Sequence, residues 1–235
     1  MLGHFRRTVL TARPCEVPFR HWLLDHVLPP FLADSLVALP FAPPAIGDTG
    51  GRRETNNATR RFVTPAERKD FPACAALADL LQDRPAVDLI EATCGRSLAS
   101  TYLRIEYCLD TDGFWLEPHT DIAAKRFTML IYLSTHPDAA EWGTDLFDAD
   151  LQAVGHSSGQ FNSGLMFVPA GDTWHGFRRR RIAGIRRSII VNYVAEDWRS
   201  RHELAFPTQP VGGCSHQPRR HAVARGNRWP GQARP

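Results

Sequence analysis

The run Glu117-Pro118-His119-Thr120-Asp121 sets a histidine and a carboxylate two residues apart. On an extended backbone that spacing sends both side chains to one face. A second histidine, His175, lies 54 residues beyond Asp121, within Asp172-Thr173-Trp174-His175-Gly176-Phe177. Two histidines and one carboxylate make up the facial triad used for non-haem Fe(II), which leaves three coordination positions for a chelating co-substrate and dioxygen. H-x-D alone occurs often by chance, so the weight falls on its downstream partners. Arg186 comes 11 residues after His175, within Gly184-Ile185-Arg186-Arg187-Ser188. An arginine buried there can pair bidentately with a dicarboxylate, and Ser188, two along, faces the same way. Arg187 is the rival, and strand alternation puts it on the opposite face.

The elements that must position these groups change character along the chain. Pro29-Pro30 can open a helix, since proline is accepted in a first helical turn. Ala75, Leu77, Leu80 and Leu81 share one helical face, and Val87, Leu89, Ile90 and Ala92 continue after Pro85, with Gly95 placed to end the second helix. Residues 47–61 are polar and rich in Gly, Arg and Asn, a loop signal; Arg52 to Arg61, with Asn56 and Asn57, could cover the site or form an ordinary polar loop. After Gly95 come short runs rich in Val, Ile, Tyr, Phe and Thr: 100–109, 114–117, 127–133, 164–168, 173–177 and 188–194. That spacing predicts an antiparallel sandwich or barrel over about residues 98–195. The run Arg178 to Arg181 reads as a solvated hairpin, with a clamp for an anionic substrate as the alternative.

Composition bounds the function classes. The chain has 235 residues, 43% of them apolar, which suits one domain with a real core and excludes a disordered chain. Its apolar runs are too short to span a bilayer, and the N-terminus lacks the apolar stretch of a signal peptide. Five dispersed cysteines with no C-x-x-C pair read as reduced thiols of a cytoplasmic protein. The net charge is +3, yet residues 207–235 hold five arginines and no acid, leaving −2 on residues 1–206. The basicity belongs to a Pro-, Gly- and Arg-rich segment, residues 207–235, expected as a flexible tail, with residues 1–206 as a single domain. Nucleic acid is therefore not the expected partner of the body.

Taken together, the ordered set His119-Thr120-Asp121, then Trp174-His175-Gly176, then Gly184-Ile185-Arg186-Arg187-Ser188 resembles the Fe(II)/2-oxoglutarate-dependent oxygenases, specifically their prolyl-hydroxylase-like branch. Arg126 to Ser134 looks like the strand after H-x-D in that branch. Gly143-Thr144-Asp145-Leu146-Phe147 looks like its G-G-x-L-x-F segment, with Thr144 in place of the second glycine, and Asn162 to Phe167 looks like the strand leading to the distal histidine. The resemblance covers about residues 98–195 and implies a mostly β fold with flanking helices (α+β): a double-stranded β-helix, the cupin-like jelly roll, supported by helices and loops from residues 16–95. It implies His119, Asp121 and His175 as iron ligands and Arg186 as the anchor of the distal 2-oxoglutarate carboxylate. Ser188, Tyr132 and, less directly, Tyr107 would be further co-substrate contacts. The loop between Tyr107 and His119 is longer than usual in that branch.

The implied activity uses Fe(II), 2-oxoglutarate and dioxygen, releases succinate and carbon dioxide, and leaves a hydroxylated C–H position; Asp121 occupies the place a halide would need. A small molecule is the expected substrate, because the body is slightly acidic and no peptide groove can be read from sequence. A protein side chain of prolyl type is the nearest alternative. Repair of alkylated nucleic acid, a non-catalytic metal-binding cupin-like barrel and a tail-driven nucleic-acid binder are further alternatives.

Overall fold

The computed structural model describes residues 1–44, 50–52 and 60–212. Eleven strands appear among them: β1 (Arg13–Cys15), β2 (His21–Leu24), β3 (Arg61–Phe62), β4 (Tyr102–Asp110), β5 (Leu116–His119), β6 (Lys125–Tyr132), β7 (Asp145–Phe147), β8 (Ala153–His156), β9 (Gly164–Phe167), β10 (His175–Phe177) and β11 (Arg186–Val194). They form two antiparallel sheets. The larger runs β1-β2-β9-β6-β11-β4-β3 and the smaller β5-β10-β7-β8. A mostly β, α+β architecture therefore matches the expectation from sequence.

Strand alternation divides the long strands of the larger sheet between two environments. Leu103, Ile105 and Tyr107 of β4, Phe127, Met129 and Ile131 of β6, and Ile189, Val191 and Tyr193 of β11 point to one side, where the helices cover them. These helices are α1 (Leu2–Leu10), α2 (Pro30–Val37), α3 (Pro65–Asp70), α4 (Pro72–Gln82) and α5 (Arg84–Cys94). Their apolar stripes, among them Phe5, Leu36, Leu77, Leu81 and Ile90, are fully buried against the sheet. Each such side chain contributes roughly 1.5–3 kcal/mol of transfer free energy. Gly95 ends α5 at φ +67°, a left-handed cap a Cβ would disfavour. α3 buries nothing and so has no apolar stripe to betray it; it rests on proline at its start and a capping box between Thr64 and Glu67.

The alternate residues turn inward, toward the smaller sheet. On β4 these are Arg104, Glu106, Cys108 and Asp110, all at most 5% exposed. The register sets Asp110 opposite Arg186, Cys108 opposite Ser188 and Glu106 opposite Ile190, while Ser188 lies opposite Tyr132 and Asn192 opposite Thr128 on the other side of β11.

Two boundaries move. The N-terminal segment supplies β1 and β2, and β2 pairs with β9, so the larger sheet begins well before residue 98. At the other end, residues 207–212, expected in the flexible tail, run along the body instead. The Val211 amide donates to the Thr101 carbonyl at 2.7 Å, Gln82 Nε2 donates to the Gln209 and Pro210 carbonyls, and Val211 is buried. Residues 213–235, Cys214 among them, lie outside the described residues, as do 53–59 of the loop considered as a cover. Among the described residues no helix is long and apolar enough to cross a membrane.

Candidate metal centre and anion pocket

β5 and β10 bring the two histidines together. They pair antiparallel with His175 directly opposite His119, and the two rings lie 4.3 Å apart between centroids. This close approach needs Gly176: a Cβ there would sit 2.8 Å from the Leu116 carbonyl and 2.9 Å from that of Glu117. Asp121 lies two residues beyond the end of β5. One potential ligand atom from each of His119, Asp121 and His175 falls within 4.8 Å of the others. His175 and Asp121 are buried and His119 is half-buried.

The neighbours of these groups fix their chemistry. His119 Nδ1 lies 3.0 Å from the Glu117 carbonyl, and His175 Nδ1 lies 2.9 Å from that of Thr173. A carbonyl only accepts, so each Nδ1 carries the proton and each Nε2 keeps its lone pair for a metal. Asp121 is held through both oxygens. Lys125 Nζ donates to Oδ1 at 2.6 Å and Thr128 Oγ1 donates to Oδ2 at 2.7 Å. Thr128 in turn accepts from Asn192 Nδ2 at 2.9 Å, which orients its hydroxyl toward the carboxylate. Two imidazole nitrogens and an anchored carboxylate fit a divalent first-row cation.

A small cavity of about 50 Å³ runs from this cluster between the sheets. At about 10–15 Å³ per water, it has room for a few water molecules. Arg186 lies along it, 5% exposed. Its Nε donates to the Trp142 carbonyl at 2.7 Å and its Nη1 to Asp110 Oδ2 at 2.6 Å, while the guanidinium carbon sits 4.4 Å from the Phe177 ring centroid. Leu130 and Ile190 supply apolar wall between Arg186 and the triad side. Ser188 also lines the cavity. Its hydroxyl is buried and, among the described residues, meets no hydrogen-bond partner. Such an orphan costs roughly 1–3 kcal/mol unless a ligand or water satisfies it.

Two residues expected at this site lie elsewhere. Tyr107 faces the helices: its hydroxyl donates to the Leu36 carbonyl at 2.7 Å, and burial first of all pushes its pKa up to about 12. The reason is parity, since Cys108 and Ser188 share the inner face and Tyr107 must take the outer one. Arg187 is on that outer side too, interacting with Tyr107. Tyr132 faces inward but stands one layer back, its hydroxyl 2.7 Å from Thr144 Oγ1 and 2.8 Å from Ser157 Oγ. Thr144 lines the cavity in its place, at the position of the second glycine of the G-G-x-L-x-F pattern.

Sequence reasoning missed Lys125, Thr128 and Asp110, whereas Arg60, which lines the cavity, lies in the segment considered as a cover. A lone charged residue reads as solvated surface, yet Lys125 and Asp110 are buried beside the cavity or the groups lining it, as is Thr128. For Asp110 alone the alternation of β4 against Leu103, Ile105, Tyr107 and Leu109 is a signal. The thiol of Cys108, also on this wall, is pushed up to about 11, chiefly by burial, and stays neutral near pH 7. The Arg178–Arg181 run lies in the connection from β10 of the smaller sheet to β11 of the larger, which do not pair, so it is a crossing between sheets and not the expected hairpin. Arg178 and Arg180 are ion-paired with buried Asp145, and Arg179 stacks over Trp115 at 4.4 Å.

No family model matches the sequence, and no curated protein matches it. Solved structures do. A prolyl-4-hydroxylase from Pseudomonas putida is similar at 16% identity with a TM-score of 0.52, covering 83% of this chain and 94% of that one. A prolyl hydroxylase from Trichoplax adhaerens, solved with a hypoxia inducible factor peptide fragment, is similar at 12% identity with a TM-score of 0.51 over 83% and 89%. A prolyl 4-hydroxylase from Phytophthora capsici is 11% identical with a TM-score of 0.51 over 75% and 59%. The chain thus has the fold of prolyl 4-hydroxylases, the branch of the 2-oxoglutarate- and Fe(II)-dependent oxygenases that its motifs resemble.

Proposed function

We propose that this protein is an Fe(II)- and 2-oxoglutarate-dependent oxygenase that hydroxylates a C–H bond of a small molecule. The two sheets would then be the walls of a double-stranded β-helix. The observation that carries the reading is the pairing of a His119–Asp121–His175 cluster with a buried arginine and an orphaned serine hydroxyl along one cavity. In this reading His119 and His175 give Nε2 atoms to iron and Asp121 gives a carboxylate oxygen. When bound, iron with its co-substrate supplies oxidation of a C–H bond by dioxygen, coupled to conversion of 2-oxoglutarate into succinate and carbon dioxide.

The chain's own residues bind and orient. Arg186 holds the far carboxylate of 2-oxoglutarate through charge-assisted hydrogen bonds, and Ser188 donates its unmatched hydroxyl to the same group. Leu130 and Ile190 flank the methylene carbons and keep water from them. Tyr132 is a positioning residue that fixes the Thr144 hydroxyl. Thr128 and Lys125 hold the Asp121 carboxylate so that it need not reorganise when metal enters.

Partners of a ligand's ligand typically change metal affinity by about 10–100-fold. Thr128→Val, which keeps shape and removes the donor, is expected to weaken Fe(II) or Mn(II) binding within that range in a calorimetric titration. Unchanged affinity would show that Thr128 does not hold the ligand. The activity is tested by incubating protein with Fe(II), 2-oxoglutarate and oxygen and measuring succinate, then screening small molecules for stimulation. Succinate formed by wild type and absent with Asp121→Ala supports the oxygenase reading. Equal, background-level succinate in both removes it. The fold likeness to prolyl hydroxylases favours a second reading, hydroxylation of a protein side chain, which stimulation by prolyl peptides and not by small molecules would select.

A further inference from the structure

Arg186 is already engaged by a carboxylate of the chain itself. Asp110 lies directly opposite it in the β4–β11 register and meets it on the inner face of the larger sheet, where Arg186 lines the cavity. Each residue is 5% exposed, and Nη1 meets Asp110 Oδ2 at 2.6 Å. The surrounding wall is balanced in the same manner. Arg60, which also lines the cavity, has its Nε 3.5 Å from Glu106 Oε2 and a further contact to Cys108. Arg104 takes the other oxygen of Glu106 and also reaches Glu203, so Arg60, Arg104 and Arg186 are met by Glu106, Asp110 and Glu203 before any ligand enters.

Resting on the function proposed above, we infer that Asp110 sets how tightly Arg186 holds the co-substrate, acting as a built-in carboxylate that shares the guanidinium with the incoming one. Arg186 has five N–H donors in a planar fork. The Trp142 carbonyl takes Nε–H and Asp110 takes one donor on Nη1, so the guanidinium is fixed in place with further donors on its Nη atoms for a ligand. Fixing the fork favours binding. The negative charge opposes it, because two carboxylates bonded to one guanidinium repel each other where water does not screen them. Asp110→Asn separates the two contributions. The amide oxygen can still accept from Nη1, whereas the charge is gone. A positioning residue that only supported Arg186 would weaken binding when altered; one that competes for it would strengthen binding.

The test uses glutarate, which has both carboxylates of the co-substrate and no keto group to chelate metal, titrated calorimetrically onto the metal-free full chain. Asp110→Asn is expected to bind glutarate on the order of tenfold more tightly than wild type, a shift of about 1.4 kcal/mol. Asp110→Ser, also neutral and with a hydroxyl acceptor, is expected to tighten binding as well and serves if the asparagine variant does not fold. Thermal melts establish that the variants compared are folded. Glutarate binding no tighter in folded neutral variants than in wild type, including undetectable binding to all of them, overturns the inference. The Arg186→Ala variant distinguishes the failures. If it loses glutarate while the Asp110 variants gain nothing, the inference alone falls; if it binds glutarate as wild type does, the anchor assignment falls with it.

Discussion

Replacing His175 with alanine is expected to weaken Fe(II) binding by more than about a hundredfold and to abolish succinate formation, with the fold retained. Loss of an outer partner alone costs about 10–100-fold, and His175 is one of only three protein ligands in the proposed set. It also sits at the register point between β5 and β10, where its Nδ1 proton is engaged by the Thr173 carbonyl. Neighbouring Gly176, rather than the imidazole, lets those strands approach, so circular dichroism should stay close to wild type. Metal affinity within a few-fold of wild type would mean that the cluster is a pair of packed histidines beside a buried ion pair.

The second large effect concerns the anchor. Arg186→Ala is expected to weaken 2-oxoglutarate binding to the iron-loaded protein by at least about a hundredfold, since breaking a buried charge pair costs roughly 3–5 kcal/mol and each 1.4 kcal/mol is a decade. It also leaves Asp110 buried without its guanidinium, so the melting temperature should fall too. Iron affinity should change little, because the hydrogen bonds of Arg186 go to Trp142 and Asp110 and to none of the three triad residues. A few-fold change in 2-oxoglutarate affinity would remove Arg186 as the anchor.

Which features are legible in the sequence depends on how each is encoded. His119 and Asp121 can be read because two-residue spacing on a strand is a local property, and Gly95 because a left-handed cap is one as well. The facing of His175 and His119 is a register between strands 56 residues apart, and nothing local encodes it. Tyr107 escapes a correct placement for the same reason. Its strand is legible, but without the pairing of Cys108 with Ser188 its face cannot be assigned. Lys125 is invisible because a single charged residue gives no sign of whether solvent or another charge meets it, and Asp110 is hinted at only by the alternation of β4. β1 and β2 are too short to form a recognisable alternating run, yet they extend the larger sheet by two strands.

The most direct test of the central claim needs no substrate. Fe(II) and then 2-oxoglutarate are added without oxygen to wild type, His175→Ala and Arg186→Ala, and the weak visible charge-transfer band of the iron–2-oxoglutarate chelate is recorded. The account predicts a band in wild type, none with His175→Ala, and with Arg186→Ala none until 2-oxoglutarate is raised about a hundredfold. Folded, iron-loaded wild type that shows no band at saturating 2-oxoglutarate would contradict it and leave a metal-binding barrel that does not use this co-substrate.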